Sequence, residues 1–211
     1  MRLLPFLILV LPLWGDFETL YFYYNKSLSL EQAEKYQEAI DALAPLGLEK
    51  PDYTLSLRLG HLYQKADRPL EARPFFLRAV TLAPLSIDAR TGYLKNLMAL
   101  DEKNKARELA QSILALEPGN PAALVALTDL DILETHFREA QNRLLDRLQY
   151  HPGDTLLLAK LAQAYHAAGS DAMAARVYQN LLILDPTHWQ AREFLLNYTL
   201  PDHQEATKET P

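Results

Sequence analysis

Five prolines recur along this chain at an almost constant interval. They are separated by 33, 34, 34 and 34 residues, and each follows an alanine by twelve residues. The prolines are Pro51, Pro84, Pro118, Pro152 and Pro186, and the alanines are Ala39, Ala72, Ala106, Ala140 and Ala174. A fixed period near 34 residues is typical of arrays in which one pair of helices is copied end to end. The period therefore predicts stacked helical hairpins and favours binding over catalysis.

The residues around each proline predict where the helices stop and start. The prolines follow apolar segments with helical spacing, at positions where a missing N–H costs nothing. Beyond them stand preferred N-cap residues, whose side chains accept backbone N–H groups, namely Asp52, Ser86, Asn120 and Asp154. Short polar breaks divide each repeat, at residues 66–69, 101–104, 135–136 and 169–171. Each repeat is thus predicted to be a helix, a tight turn, a helix and a turn.

These residues resemble the tetratricopeptide repeat, or TPR. The second repeat matches the family pattern best, through Leu59, Gly60, Tyr63, Ala72, Phe76 and Pro84. The third and fourth repeats depart from it, because Leu97 and Asp131 replace the tyrosine. The resemblance covers about residues 20–200 and implies an all-α fold, a right-handed solenoid of about five helical hairpins.

The C-terminal part predicts an end to the array. Residues 189–198 follow the last phased proline and are predicted to form the capping helix of the solenoid, apolar inward and polar outward. Residues 201–211 are polar, lack periodicity and are predicted to be disordered. The predicted solenoid domain is therefore 16–200.

Composition excludes several classes of function. The net charge of −6 disfavours nucleic acid as a partner, because nucleic-acid binding usually needs a basic stripe. The absence of cysteine excludes disulfides, thiol catalysis and thiolate metal sites. We found no H-E-x-x-H motif, no G-x-S-x-G motif and no glycine-rich phosphate loop. The sequence therefore predicts no enzyme, no metal site and no cofactor.

The N-terminus carries a second signal. Arg2 precedes an apolar run of about a dozen residues that ends at Trp14, too short to span a bilayer but suited to a signal peptide. Cleavage after Gly15 would leave Asp16 first. The alternatives are a retained anchor, giving peripheral membrane association through residues 1–15, or an apolar first helix packed on the array. Export of a cysteine-free repeat protein suggests a bacterial periplasm, with a cytoplasmic location the weaker alternative.

The resemblance implies that the first helices of successive repeats line a concave groove that binds peptides or partner helices. The groove candidates are Leu57, His61, Gln64, Thr91, Lys95, Met98, Val125, Asp129, Ile132, Leu156, Gln163 and His166, with Tyr21, Tyr24, Leu28 and Thr54 nearer the N-terminus. No lysine–asparagine pair one turn apart recurs there, so the carboxylate clamp of chaperone-binding relatives is not expected. An apolar contact with a protein or peptide fits this mixed lining better. The alternative is that several of these residues only pack against the neighbouring repeat.

Four consecutive aromatic residues stand in the first predicted helix: Tyr21, Phe22, Tyr23 and Tyr24. Four consecutive aromatic side chains point to all sides of a helix, so some of the rings are exposed unless other elements cover the helix. Core packing of a degenerate first helix is the favoured interpretation, because aromatic side chains usually fill a core. The alternative is a surface for docking or self-association.

The sequence thus predicts an exported scaffold that binds a protein through its concave groove. One alternative is a self-associating structural module. Another, from family analogy alone, is an accessory subunit of an envelope machine for glycan export or outer-membrane assembly.

Overall fold

The computed structural model describes residues 13–47 and 51–198, and all regular structure in these ranges is helical. The predicted tail at 201–211, and all of the predicted leader except residues 13–15, lie outside them. The helices are α1 (Leu13–Gln32), α2 (Tyr36–Asp41), α3 (Tyr53–Lys65), α4 (Pro69–Leu82), α5 (Ile87–Ala99), α6 (Lys103–Leu116), α7 (Pro121–Leu133), α8 (Phe137–Tyr150), α9 (Thr155–Ala167), α10 (Asp171–Leu184) and α11 (Trp189–Asn197). Along the described chain, none of them has the length and apolarity needed to cross a bilayer.

The helices fall into two compact units that meet in sequence between Glu102 and Lys103. The N-terminal unit holds α1–α5, and the C-terminal unit holds α6–α11. Within each unit, every helix packs against the next one along the chain. The prediction of a helical repeat fold is confirmed.

The prolines, alanines and N-cap residues that recur with the repeat lie where their spacing predicts. The last four prolines each stand two residues beyond the end of a helix, and all five phased alanines are fully buried. All four predicted N-caps are confirmed: the side chains of Asp52, Ser86, Asn120 and Asp154 accept hydrogen bonds from the backbone N–H three residues on, at 2.8–3.2 Å. Capping therefore fixes the start of α3, α5, α7 and α9.

The turn inside each hairpin repeats with the same period. A residue with positive φ, between 55° and 72°, occupies one equivalent position in all five: Glu34, Asp67, Asp101, Thr135 and Gly169. The N–H of the following residue bonds to the carbonyl five residues earlier, as in a Schellman motif. Only the last turn has glycine at this position, so four turns hold an L-residue in the left-handed region, which costs about 1 kcal/mol each.

The second helix of the first hairpin is shorter than its counterparts. α2 has 6 residues, followed by a 3-10 turn at Ala44–Leu46, whereas α4, α6, α8 and α10 have 14. Pro45 has no N–H for an α-helical bond and disfavours helical geometry at Ala44. Gly47 then takes φ 83°. The first repeat is therefore degenerate in its second helix.

Phe76 is the largest fully buried side chain among the described residues of the N-terminal unit. Its ring lies between two glycines, Gly60 on α3 and Gly92 on α5. A Cβ added at Gly60 would come within 2.9 Å of the ring, and one at Gly92 would overlap it. The ring of His61 meets Phe76 edge to face, at 5.1 Å between centroids. Both glycines thus serve a close approach, which lets one aromatic ring hold α3, α4 and α5 together.

Asp131 is the most buried carboxylate in the C-terminal unit's described residues, with a 2% exposed side chain. It lies on α7 and pairs with Arg107 of α6, at 2.6 Å, and with Arg143 of α8. Arg107 also reaches Glu134, at 2.9 Å. Burial alone would lower the pKa of Arg107, but the hydrogen bond and charge of Asp131, with Glu134, raise it instead. The network links three consecutive helices.

Helix α11 differs from the predicted capping helix on its outer face. Ala191 is fully buried, and Phe194 and Leu195 pack on the core of the C-terminal unit, as expected for the inner face. The outer face, however, carries Trp189, 65% exposed, and Leu196, 84% exposed. The prediction of a polar outer face therefore holds for Gln190, Arg192, Glu193 and Asn197 but not for Trp189 and Leu196.

Candidate binding face

An apolar pocket opens between α1 and the start of α3 in the N-terminal unit. Its volume is about 240 Å³, and its walls are formed by Phe17, Leu20, Tyr21, Tyr24, Asp52 and Thr54. Tyr21, Tyr24 and Thr54 were predicted to face the groove, and the structure brings them together here. Phe17, Leu20 and Asp52 complete the walls and were not predicted.

Helical spacing places the apolar walls on one side of α1. Phe17, Leu20, Tyr21 and Tyr24 lie at i, i+3, i+4 and i+7, so their side chains share a face. Phe17 and Tyr21 are stacked, 5.9 Å apart, and both are about 60% exposed. The pocket is therefore apolar yet open to solvent.

Only part of the aromatic run at residues 21–24 packs in the core. Tyr24 packs against the core cluster of the N-terminal unit, as favoured from the sequence. Tyr21 and Phe22 are each 61% exposed, so core packing is wrong for them.

The polar groups that line the pocket include the phenol of Tyr24 and the carboxylate of Asp52. Burial and then the Asp52 carboxylate raise the pKa of Tyr24 to about 12, against the opposing effect of Arg58. Tyr24 is thus a neutral hydroxyl at physiological pH. Asp52 also caps α3 by accepting the Leu55 N–H at 2.8 Å, which fixes its carboxylate. The pocket offers a few fixed polar groups beneath apolar walls, a common composition for ligand sites.

A charged cluster between α1 and α3 lies one turn further along. Arg58 of α3 bonds to Glu31 and, at 3.0 Å, to Ser27, which is fully buried on α1. Lys65 reaches the other Glu31 oxygen at 2.7 Å. Burial alone would raise the pKa of Glu31, but hydrogen bonds from Lys65 and Arg58 outweigh it and lower the pKa. This cluster fixes α1 against α3 and so keeps the pocket walls in place.

Leu28 lies on α1 and is exposed, and the remaining predicted residues of the N-terminal unit lie further along α3 and α5. Leu57, His61, Gln64, Thr91 and Met98 are half-buried, and Lys95 is exposed. Burial, and then the charge of Lys95, lower the pKa of His61. Gln64 Oε1 and Thr91 Oγ1 are buried and have no hydrogen-bond partner among the described residues. These two atoms are free to bond to a ligand only after the side chains move.

The predicted residues of the C-terminal unit are engaged mainly with neighbouring helices. Asp129 on α7 pairs with Lys160 on α9 at 2.6 Å, and Ile132 packs on the core. His166 pairs with Asp171 at 2.6 Å and meets the Phe194 ring of α11 edge to face. Val125 and Gln163 are half-buried, and Leu156 is exposed. Packing between helices accounts for Asp129, Ile132 and His166.

Several solved structures share this architecture. The crystal structure of MamA superposes with a TM-score of 0.64 at 18% identity, covering 88% of this chain and 99% of that one. YrrB, described as a TPR protein with an unusual peptide-binding site, gives 0.62 at 17% identity, covering 81% and 89%. A tetratricopeptide repeat protein from Parabacteroides merdae gives 0.64 at 14% identity, covering 82% of each chain. No family model and no curated protein sequence matches the chain.

The chain has the TPR fold. The structure explains how two residues that depart from the TPR pattern are accommodated. Leu97 and Asp131 replace the pattern tyrosine, and both are buried. Leu97 is a simple apolar replacement, whereas Asp131 replaces a ring by the ion-pair network that joins α6, α7 and α8. The TPR geometry therefore survives where its characteristic residues do not.

Two histidines that flank the phased prolines lie at helix ends. His188 caps α11 by accepting the Ala191 N–H at 3.3 Å, and His151 is the C-cap residue of α8. Within residues 17–47 and 51–198, no group of three histidine, aspartate or glutamate side chains is placed to hold a metal ion.

Proposed function

We propose that the chain is a scaffold that binds a segment of another protein along the first-helix face of its N-terminal unit. The pocket between α1 and α3 would anchor one large apolar or aromatic side chain of the partner. The open pocket at Phe17, Tyr21 and Tyr24 carries this proposal, because side chains of this type rarely stay exposed together without a partner. The fold supports it, since YrrB, which has the same fold, is described as having a peptide-binding site.

The chemistry of the face points to an apolar anchor. Glu31 is already paired with Arg58 and Lys65, so these charges are satisfied within the protein. A charged partner side chain placed in the pocket would lose water and gain little in return. An aromatic or leucine side chain would instead remove the exposed rings of Phe17 and Tyr21 from water.

A selection experiment tests this proposal. A library of random twelve-residue peptides displayed on phage is panned against the full chain, and enriched peptides are measured by fluorescence anisotropy. We expect the enriched peptides to share a large apolar or aromatic residue. Filling the pocket with Thr54→Trp is expected to weaken their binding by roughly 30-fold, the effect of blocking a central anchor.

Leu77→Trp provides the matched control, because Leu77 is a half-exposed residue on α4, away from the pocket. It should leave peptide affinity unchanged. Enriched peptides that bind Thr54→Trp as tightly as the unaltered chain would show that the pocket is not the binding site.

We also propose that the chain is exported, on the basis of the apolar run that ends at Trp14. α1 begins at Leu13 and continues through Gly15, so cleavage there would remove its first turn. Expression in a bacterial host and N-terminal sequencing of the periplasmic fraction should return Asp16 as the first residue. A product confined to the cytoplasm with its N-terminal run intact would contradict export.

A further inference from the structure

One face of α11 carries two apolar and two charged side chains that make no ion pair or hydrogen bond within the described chain. Trp189, Arg192, Glu193 and Leu196 lie at i, i+3, i+4 and i+7 and are all exposed. Trp189 is 65% exposed and Leu196 is 84% exposed. A terminal helix of a repeat array normally presents a polar outer face. Two large apolar side chains on this face are therefore in contact with solvent in the described structure.

The order of these four residues is symmetric about the middle of the helix. Trp189 and Leu196 are equally far from a point between Arg192 and Glu193. When two copies of α11 pair antiparallel about a twofold axis at that point, Trp189 meets Leu196 of the other copy. Arg192 then meets the oppositely charged Glu193, and each contact occurs twice, as in any isologous interface. The face is therefore complementary to itself in charge, with an apolar residue at each end.

A hollow beside this face is placed to receive a side chain from the second copy in the antiparallel pair. It is lined by Leu182, Arg192, Leu195 and Leu196 and has a volume of about 330 Å³. Antiparallel pairing brings Trp189 of the second copy to Leu196, which is one wall of the hollow. The exposed indole of each copy would thus have an apolar site to enter on the other.

We propose that two copies of this chain associate through α11, antiparallel about a twofold axis, with Trp189 of each copy inserted beside Leu182 and Leu196 of the other. The contact is formed by one short helix and its immediate neighbours, so the buried area is small and the dimer is weak. We expect a dissociation constant in the range of about 10 to 100 μM.

Sedimentation equilibrium of the full chain, from about 5 μM to about 1 mM, measures this association. Leu196→Glu places a charge against the indole and is expected to raise the dissociation constant at least about tenfold. Leu70→Glu is the matched control, because Leu70 is 70% exposed on α4 in the other unit. It should leave the dissociation constant unchanged, and circular dichroism confirms that each variant is folded.

A charge exchange distinguishes the proposed geometry from other apolar contacts. Arg192→Glu alone places two glutamates together at each contact, and Glu193→Arg alone places two arginines together. Each is expected to weaken the dimer about fivefold, whereas the double variant restores opposite charges and the original affinity. Recovery in the double variant requires residue 192 to face residue 193 of the other copy.

Three outcomes would overturn this inference. A chain that is monomeric over the whole range has no such dimer. A dimer that tolerates Leu196→Glu but is weakened by Phe22→Glu associates through α1 instead. A double charge variant that remains as weak as the single variants does not pair antiparallel about this axis.

Discussion

Replacing Phe76 with alanine is expected to lower the free energy of unfolding of the N-terminal unit by about 4 kcal/mol. The ring is fully buried between Gly60 and Gly92, which have no side chains to move into the space that it leaves. The cavity would therefore stay open, and a cavity that does not collapse gives the larger losses in such substitutions. Urea unfolding followed by circular dichroism measures the effect.

Phe75→Ala is the matched control because it removes the same side chain one residue earlier. Phe75 is half-buried and stacks on Tyr63, with 5.3 Å between ring centroids. The substitution should lower the free energy of unfolding by about 1 to 2 kcal/mol, because part of the Phe75 ring is already in water. Equal losses for the two variants would mean that Phe76 does not have the central packing role assigned to it.

Replacing Asp131 with alanine is expected to cost about 3 kcal/mol in the stability of the C-terminal unit. The substitution leaves Arg107 and Arg143 close together without the carboxylate that both contact. Removing one partner of a buried ion pair costs more than the pair contributes, since the remaining charge is left without compensation. Both arginines are about a quarter exposed, which keeps the expected loss at the lower end of the usual range.

Asp129→Ala tests the same chemistry two residues away. Asp129 pairs with Lys160, but its side chain is 36% exposed, so water can replace the lost contact. The expected cost is below about 1 kcal/mol. If Asp129→Ala destabilised the unit as much as Asp131→Ala, burial would not be the reason why the Asp131 network matters.

The sequence predicts the helical hairpins well because their boundaries depend on local chemistry. An N-cap such as Asp52 acts on a backbone N–H three residues away, and a proline such as Pro84 acts on the preceding turn. Neither needs information from the rest of the fold. Recurrence of these signals at one period then predicts the stacking of hairpins.

The sequence does not predict features that depend on contacts between helices. Asp131 looks like a loss of the pattern tyrosine until Arg107 and Arg143 are seen to converge on it. The exposure of Tyr21 and Phe22 depends on whether another helix covers α1, which no local pattern encodes. The pocket was predicted in part, since Tyr21 and Tyr24 share one face of α1 by helical register, as do Phe17 and Leu20. Asp52 enters the pocket only through the packing of α1 on α3.

The left-handed residues at the five hairpin turns have a consequence for how the chain acquires its structure. Glutamate and threonine seldom adopt that conformation by themselves, and aspartate adopts it only occasionally, so the bends at Glu34, Asp67 and Thr135 depend on the helices on either side. A single repeat excised as a peptide would then lack the means to stay folded back on itself. The bend of one repeat is stable only when the neighbouring repeats pack against it. The identity of the turn residues therefore makes the folding of each repeat depend on its neighbours.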